Sequence, residues 1–139
     1  MDRNSQLEEN ARRTNTFSDY CGIRFESASD DKCVVSCALR RELLNPDGIA
    51  HGGLVTTMAD VCAGLMAHQA DNWTHALVTQ SCSIHYLRPA AGETIRAESR
   101  VIRKGRRVCT VQVDCFSGDG KLSATAIYEI AYLGEIERA

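Results

Sequence analysis

Apolar positions in this chain follow two periods. Over residues 32–40 they alternate, with Cys33, Val35 and Cys37 on one face and Val34, Ser36 and Ala38 on the other, the period of a strand. Residues 22–29 precede this strand as its partner, joined to it at Ser29-Asp30-Asp31. From Leu54 the period lengthens. At about 100° per residue Leu54, Met58, Val61 and Leu65 fall within a narrow arc, predicting a helix over 53–70 with that stripe toward the core. Asp60 lies well round from the stripe, among Thr56, Ala63, Gly64 and Ala67. Beyond residue 75 the chain reads as strands again, over 75–87, 93–103, 106–116 and 121–133. Pro89-Ala90-Ala91-Gly92 and Ser117-Gly118-Asp119-Gly120 separate two pairs of them, and Lys104-Gly105 is a hairpin-length turn in which Gly would supply φ > 0. Loops this short predict antiparallel pairing of consecutive strands. A capping box at Ser5-Gln6-Leu7-Glu8, followed by Glu8–Arg12 and Glu9–Arg13 pairs, predicts a short solvated helix over 5–13. One long helix and about six strands, without repeat or linker, predict a single α+β domain over 1–139 with 1–16 as a helical extension. The helix would lie in the concave face of a strongly bent antiparallel sheet.

Composition narrows the function classes. The 139 residues suit one domain, which at this size buries about two thirds of its unfolded surface and needs no covalent or metal staple. Hydrophobic residues at 44% and charged residues at 24% exclude a disordered or low-complexity chain. Sixteen Lys and Arg against eighteen Asp and Glu give a net charge of −2, which argues against a nucleic-acid or membrane-surface binder. The opening segment carries no apolar signal core. The longest nearly apolar stretch, 54–67, is interrupted by Asp60 and is too short to span a bilayer. The expectation is a cytoplasmic protein without membrane or nucleic-acid partners. Seven cysteines, an odd number without CxxC spacing, read as small buried hydrophobes, not as a disulfide framework or a metal site.

Candidate chemistry gathers around the helix. A carboxylate among Thr, Ala, Met and Val is costly unless paired or exposed, and the small residues beside Asp60 would let a ligand or second subunit approach. Asn45-Pro46-Asp47-Gly48 fits a type I turn. His51-Gly52-Gly53 then opens the helix, where free N–H groups favour an anion or developing oxyanion. Arg100, Arg103, Lys104, Arg106 and Arg107 place five cations within eight residues. They read either as a solvated hairpin tip that deters edge pairing or as a phosphate site.

Taken together, Asn45-x-x-Gly48-x-x-His51-Gly52-Gly53 followed by Asp60 resembles the signature of hotdog-fold acyl-CoA thioesterases of the PaaI-like, phenylacetate-degradation type. The likeness extends to Tyr86-Leu87-Arg88-Pro89-Ala90-Ala91-Gly92, the Arg-Lys-Gly-Arg-Arg hairpin and Gly120-Lys121 before the last strand. The resemblance implies a hotdog fold and hydrolysis of an acyl-CoA, aromatic by the weight of the family, to free acid and CoA. It implies Asp60 as general base or nucleophile and the Gly52 N–H as carbonyl-polarising donor. Asn45 would help place water or thioester, His51 would shape the loop, and Thr79 would orient the water. Gly53, Arg88, Arg103, Lys104, Arg106 and Arg107 would bind the CoA portion. It further implies homo-oligomers, commonly a dimer of dimers, with sites at subunit interfaces. No metal or separate cofactor is needed, since coenzyme A is part of the substrate. The acyl pocket is expected from Met58, Cys62, Leu65 and Met66, with Tyr20 or Trp73. A hotdog protein that binds acyl-CoA without cleaving it is the alternative. A dehydratase is disfavoured because the one suitable histidine stands beside Gly52.

Overall fold

The computed structural model describes residues 15–137 together with Ser5, Glu9 and Asn10. These three are helical, but the capping box and ion pairs expected over 5–13 otherwise lie outside the described residues. A short helix α1 (Thr16–Cys21) leads into strands β1 (Ile23–Ala28) and β2 (Cys33–Ala38). The long helix α2 (Gly52–Ala70) follows, then β3 (His75–Tyr86), β4 (Thr94–Lys104), β5 (Val108–Phe116) and β6 (Leu122–Glu135). The strands form one antiparallel sheet in the order β1-β2-β4-β5-β6-β3, with α2 packed against its inner face. This is the hotdog arrangement expected from the sequence. No helix among the described residues is long and apolar enough to cross a membrane.

Alternation places the core. In β5, Cys109, Val111, Val113 and Cys115 all point inward, and in β6 Ala124, Ala126, Tyr128 and Ile130 do the same. Two inward tyrosines also fasten the sheet to the helix. The Tyr128 hydroxyl donates to the Thr56 carbonyl at 3.0 Å, and that of Tyr132 to Ala67 at 2.8 Å. Each bond satisfies a hydroxyl that burial would otherwise strand.

Three expectations are corrected. The core face of α2 is not the Leu54/Met58/Val61/Leu65 stripe. Leu54 and Met58 are buried together with Ala59, Cys62, Ala63, Met66 and Ala67, whereas Val61 and Leu65 are only half-buried and stand on the side of Asp60. The sheet wraps most of the helix circumference, so small residues occupy the closest contacts and bulk no longer marks the inward side. Second, β3 and β4 are consecutive but do not pair: β3 lies at the sheet edge against β6, and β4 lies between β2 and β5. The connection crosses the ends of β5 and β6, with Leu87 bonded to Ser123 and Ala91 to Gly118. Third, Gly105 does not have positive φ. A Cβ there would meet the Val108 carbonyl at 2.8 Å, so close approach and not handedness requires the glycine.

Candidate functional site

Chemistry concentrates at two places along α2. At its start, the Asn45–Gly48 turn closes through the Gly48 N–H to the Asn45 carbonyl at 3.0 Å. Asn45 Oδ1 accepts from the N–H groups of Asp47 and Ile49, so its carboxamide oxygen is committed to its own loop. His51 is the helix N-cap, its Nδ1 accepting from the Gly53 N–H at 2.8 Å. A Cβ on Gly53 would sit 3.0 Å from that nitrogen, which is why glycine stands there. The Leu54 and Val55 N–H groups bond to the His51 carbonyl. Among the described residues this leaves the Gly52 N–H without a partner, an orphan donor at the positive end of the helix.

Tyr86, at the end of β3, covers this turn although the sequence pattern marks it only as a strand terminus. Its ring lies over Gly52, and its hydroxyl donates to the Gly52 carbonyl at 3.1 Å and meets Thr56 Oγ1. The signal that could have found it is its placement beside the crossover that carries the chain back past the helix start.

Two turns further on, Thr79 of β3 donates from Oγ1 to Asp60 Oδ1 at 2.6 Å. The other carboxylate oxygen makes no hydrogen bond among the described residues. Asp60 and Thr79 line a groove of about 1110 Å³ between α2, β1, β3 and the segment around α1. Its walls include Val61, Gly64, Leu65, His68, Trp73 and Leu77. Of the residues expected to form an acyl pocket, Leu65 and Trp73 are therefore here. Met58, Cys62 and Met66 face the core instead, and Tyr20 is exposed outside the groove. Burial pushes the Cys62 thiol up to about 12, so it is inert as a nucleophile.

One chain thus brings Asp60 to Thr79, and His51 to Gly53, but does not bring Asp60 to Gly52. Eight residues of helix separate them, about 12 Å along the axis. The cations are also divided. Lys104 reaches Asp71 at 3.9 Å and lies over the Tyr132 ring at 4.8 Å, beyond the helix C-terminus. Arg103, Arg106 and Arg107 are exposed around the same hairpin. Arg88 bonds through its backbone to Ser123 beside the helix start, so within one chain it does not join the hairpin. Arg100 lies on the outer sheet face with Gln112 and Asp114.

The other histidines differ from one another. His75 Nδ1 pairs with the buried Asp71 carboxylate at 3.1 Å. His85 is exposed. His68 stacks on Trp73 with centroids 4.1 Å apart, and burial pushes it down to about 4 while the charge of Asp71 partly opposes the shift. All seven cysteines are free, six of them buried. Among the described residues no three His, Cys, Asp or Glu side chains converge as a metal ion would require.

The sequence profile of the thioesterase superfamily matches residues 47–124, more than half of the chain. The acyl-coenzyme A thioesterase PaaI of Escherichia coli is 27% identical over 104 residues, covering 74% of this chain and 72% of that protein. The structure of that PaaI protein superposes with a TM-score of 0.86 at 22% identity, over 96% of this chain and 95% of the other. A conserved protein of Pseudomonas aeruginosa gives a TM-score of 0.81 at 30% identity, covering 86% and 95%. A thioesterase protein from Streptococcus pneumoniae, crystallised with coenzyme A, gives 0.74 at 25% identity, covering 83% and 88%.

Proposed function

Because the chain belongs to the thioesterase superfamily, and is thereby a thioester hydrolase, we propose that it cleaves acyl-CoA to free acid and coenzyme A. The observation that carries this reading is the orphan Gly52 N–H, left over at a helix N-terminus where every neighbouring donor is bonded. Attack on a thioester carbonyl places negative charge on its oxygen, and a preorganised N–H aimed at that charge is the largest contribution a protein makes to such a step. Asp60 supplies the base for water or the nucleophile itself. Thr79 holds one carboxylate oxygen and leaves the other for the reaction. His51 caps the turn, and Asn45 with Gly53 keeps its shape.

A carbonyl cannot touch Gly52 and Asp60 of one chain across about 12 Å of helix. The reading therefore needs a second copy, so that the Gly52 turn of one subunit faces Asp60 of the other. The surface suited to that pairing is β3, a 12-residue edge strand with no Asp, Glu, Lys or Arg to repel a partner and with its register shifts confined to its first half, before Ser81. Arg103, Arg106 and Arg107, with Lys104 or a partner's contribution from the Arg88 region, suit the phosphates of coenzyme A. An aromatic acyl group is the preferred substrate in this reading.

The test is a panel of aromatic, short-chain and long-chain acyl-CoAs with a thiol-detecting reagent. The proposal expects release of free coenzyme A from at least one class. Saturable binding of acyl-CoA with no release from any class would replace it by the non-hydrolytic binder.

A further inference from the structure

The Gly52 N–H lies where the backbone is least constrained by its own residues. Gly52 and Gly53 open α2 in succession, and glycine has no Cβ to restrict φ and ψ. A donor stabilises a developing charge only if it is already aimed when that charge forms. The peptide unit that follows Gly52 is pinned at both ends. Its N–H, on Gly53, bonds to His51 Nδ1 at 2.8 Å. Its carbonyl, on Gly52, accepts from the Tyr86 hydroxyl at 3.1 Å. Because a peptide unit is planar, two such bonds fix its orientation, and with it the conformation of Gly52. On the other side, the His51 N–H is held by the Leu43 carbonyl at 2.9 Å.

Tyr86 comes from a different element, the end of β3, and is itself steadied. Its ring carbons lie 3.6 Å from where a Cβ on Gly52 would stand, and its hydroxyl meets Thr56 Oγ1. A carbonyl only accepts, so the bond to Gly52 uses the tyrosine's single proton and Thr56 donates to the tyrosine oxygen. Gly52, Thr56 and Asp60 are spaced by four residues and share one side of α2. β3 touches that side twice, through Tyr86 at the turn and Thr79 at Asp60. Tyr86 is nevertheless 54% exposed. Water competes for a neutral hydrogen bond in such a place, so the hydroxyl contributes little to folding stability. What its loss changes is the turn it holds.

We propose that Tyr86 is a positioning residue for thioester hydrolysis. Its hydroxyl fixes the peptide unit after Gly52, so that the Gly52 N–H stays aimed at the carbonyl oxygen as negative charge develops there. This rests on the acyl-CoA reading above. Tyr86 acts through Gly52 and not on the substrate. The interaction it supports strengthens only in the transition state, so its loss lowers kcat and kcat/KM together and leaves KM in place.

Tyr86→Phe keeps the ring over Gly52 and removes only the hydroxyl. On the acyl-CoA of the panel that wild type cleaves fastest, its kcat is expected to fall roughly three- to tenfold. KM should stay within about twofold of wild type, and circular dichroism, sedimentation and the melting midpoint should match. The second readout is a double-mutant cycle with Gly52→Pro, which has no N–H to aim. Adding Tyr86→Phe to that variant should cost no further activity, a non-additivity that a merely structural role does not produce. Unchanged kcat in Tyr86→Phe, a loss confined to KM, a loss of folded structure, or a full further loss in the Gly52→Pro background would each overturn the proposal and leave hydrolysis standing. If wild type cleaves no member of the panel, the acyl-CoA reading fails first and this inference with it.

Discussion

Gly52 and Gly53 are neighbours of the same type, but only Gly53 is glycine for want of space. At Gly53 the reason is space, since a Cβ would crowd the capping His51 Nδ1 at 3.0 Å. At Gly52 the nearest neighbour of a Cβ would be the Tyr86 ring at an ordinary 3.6 Å, so its value lies in its free N–H. Proline is well tolerated at the first helical position, and His51 already has the extended backbone, φ −59 and ψ 136, that precedes proline. Gly52→Pro is therefore expected to fold normally and to lower kcat about 10²–10³-fold, read by steady-state kinetics beside circular dichroism. His68 offers a second residue-scale prediction. Its folded pKa of about 4 lies below the ordinary histidine value of 6.5, so the unfolded state binds more protons between those two values. Stability must then fall as pH drops through that window and is unaffected by this group above it. Thermal unfolding midpoints of wild type should decline more steeply from pH 6.5 to 4 than those of His68→Gln. Parallel curves would mean that the ring is not held neutral.

Among the elements, α2 and β3 matter most, and they were unequally legible in the sequence. The helix, with Gly52 at its start and Asp60 on its face, could be read because spacing along a chain translates directly into place on a helix, whereas Thr79 was marked by the family resemblance alone. The inward face of α2 could not be read from bulk. A stripe of large residues marks the core only when one side is covered, and here Ala59, Ala63 and Ala67 are fully buried while Leu65 lines the groove. The edge position of β3 was hidden for another reason: a short loop between consecutive strands says nothing about a chain that crosses the end of the sheet. The left-handed backbone of Asn72 and Trp73, with φ of 50 and 55, and the Tyr86 contact also leave no periodic trace. β3 carries its own prediction. Lysines at Ser81 and Ser83, both exposed on this edge, should repel a second β3. Sedimentation should then show a monomer, with the far-ultraviolet spectrum retained and hydrolysis lost. A monomer of full activity would contradict the two-subunit site.

At the scale of the whole molecule, the near-neutral charge and modest size take on a more specific meaning. The sheet and helix suffice to fold the chain, with a core of small and medium side chains closed around α2. They hold the Asp60 carboxylate at one place and the unpartnered Gly52 N–H about 12 Å away along the same helix. The central claim is that a working site combines the Gly52 turn of one subunit with Asp60 of another, and subunit mixing tests it most directly. Asp60→Asn and Gly52→Pro homo-oligomers should each be nearly inactive. Unfolded together in equal amounts and refolded, they should recover about a quarter of wild-type activity. Half of the two-fold dimers are then hybrids, and each hybrid holds one intact site of its two. A refolded mixture no more active than its parents, with hybrids verified by native mass spectrometry, would contradict the account.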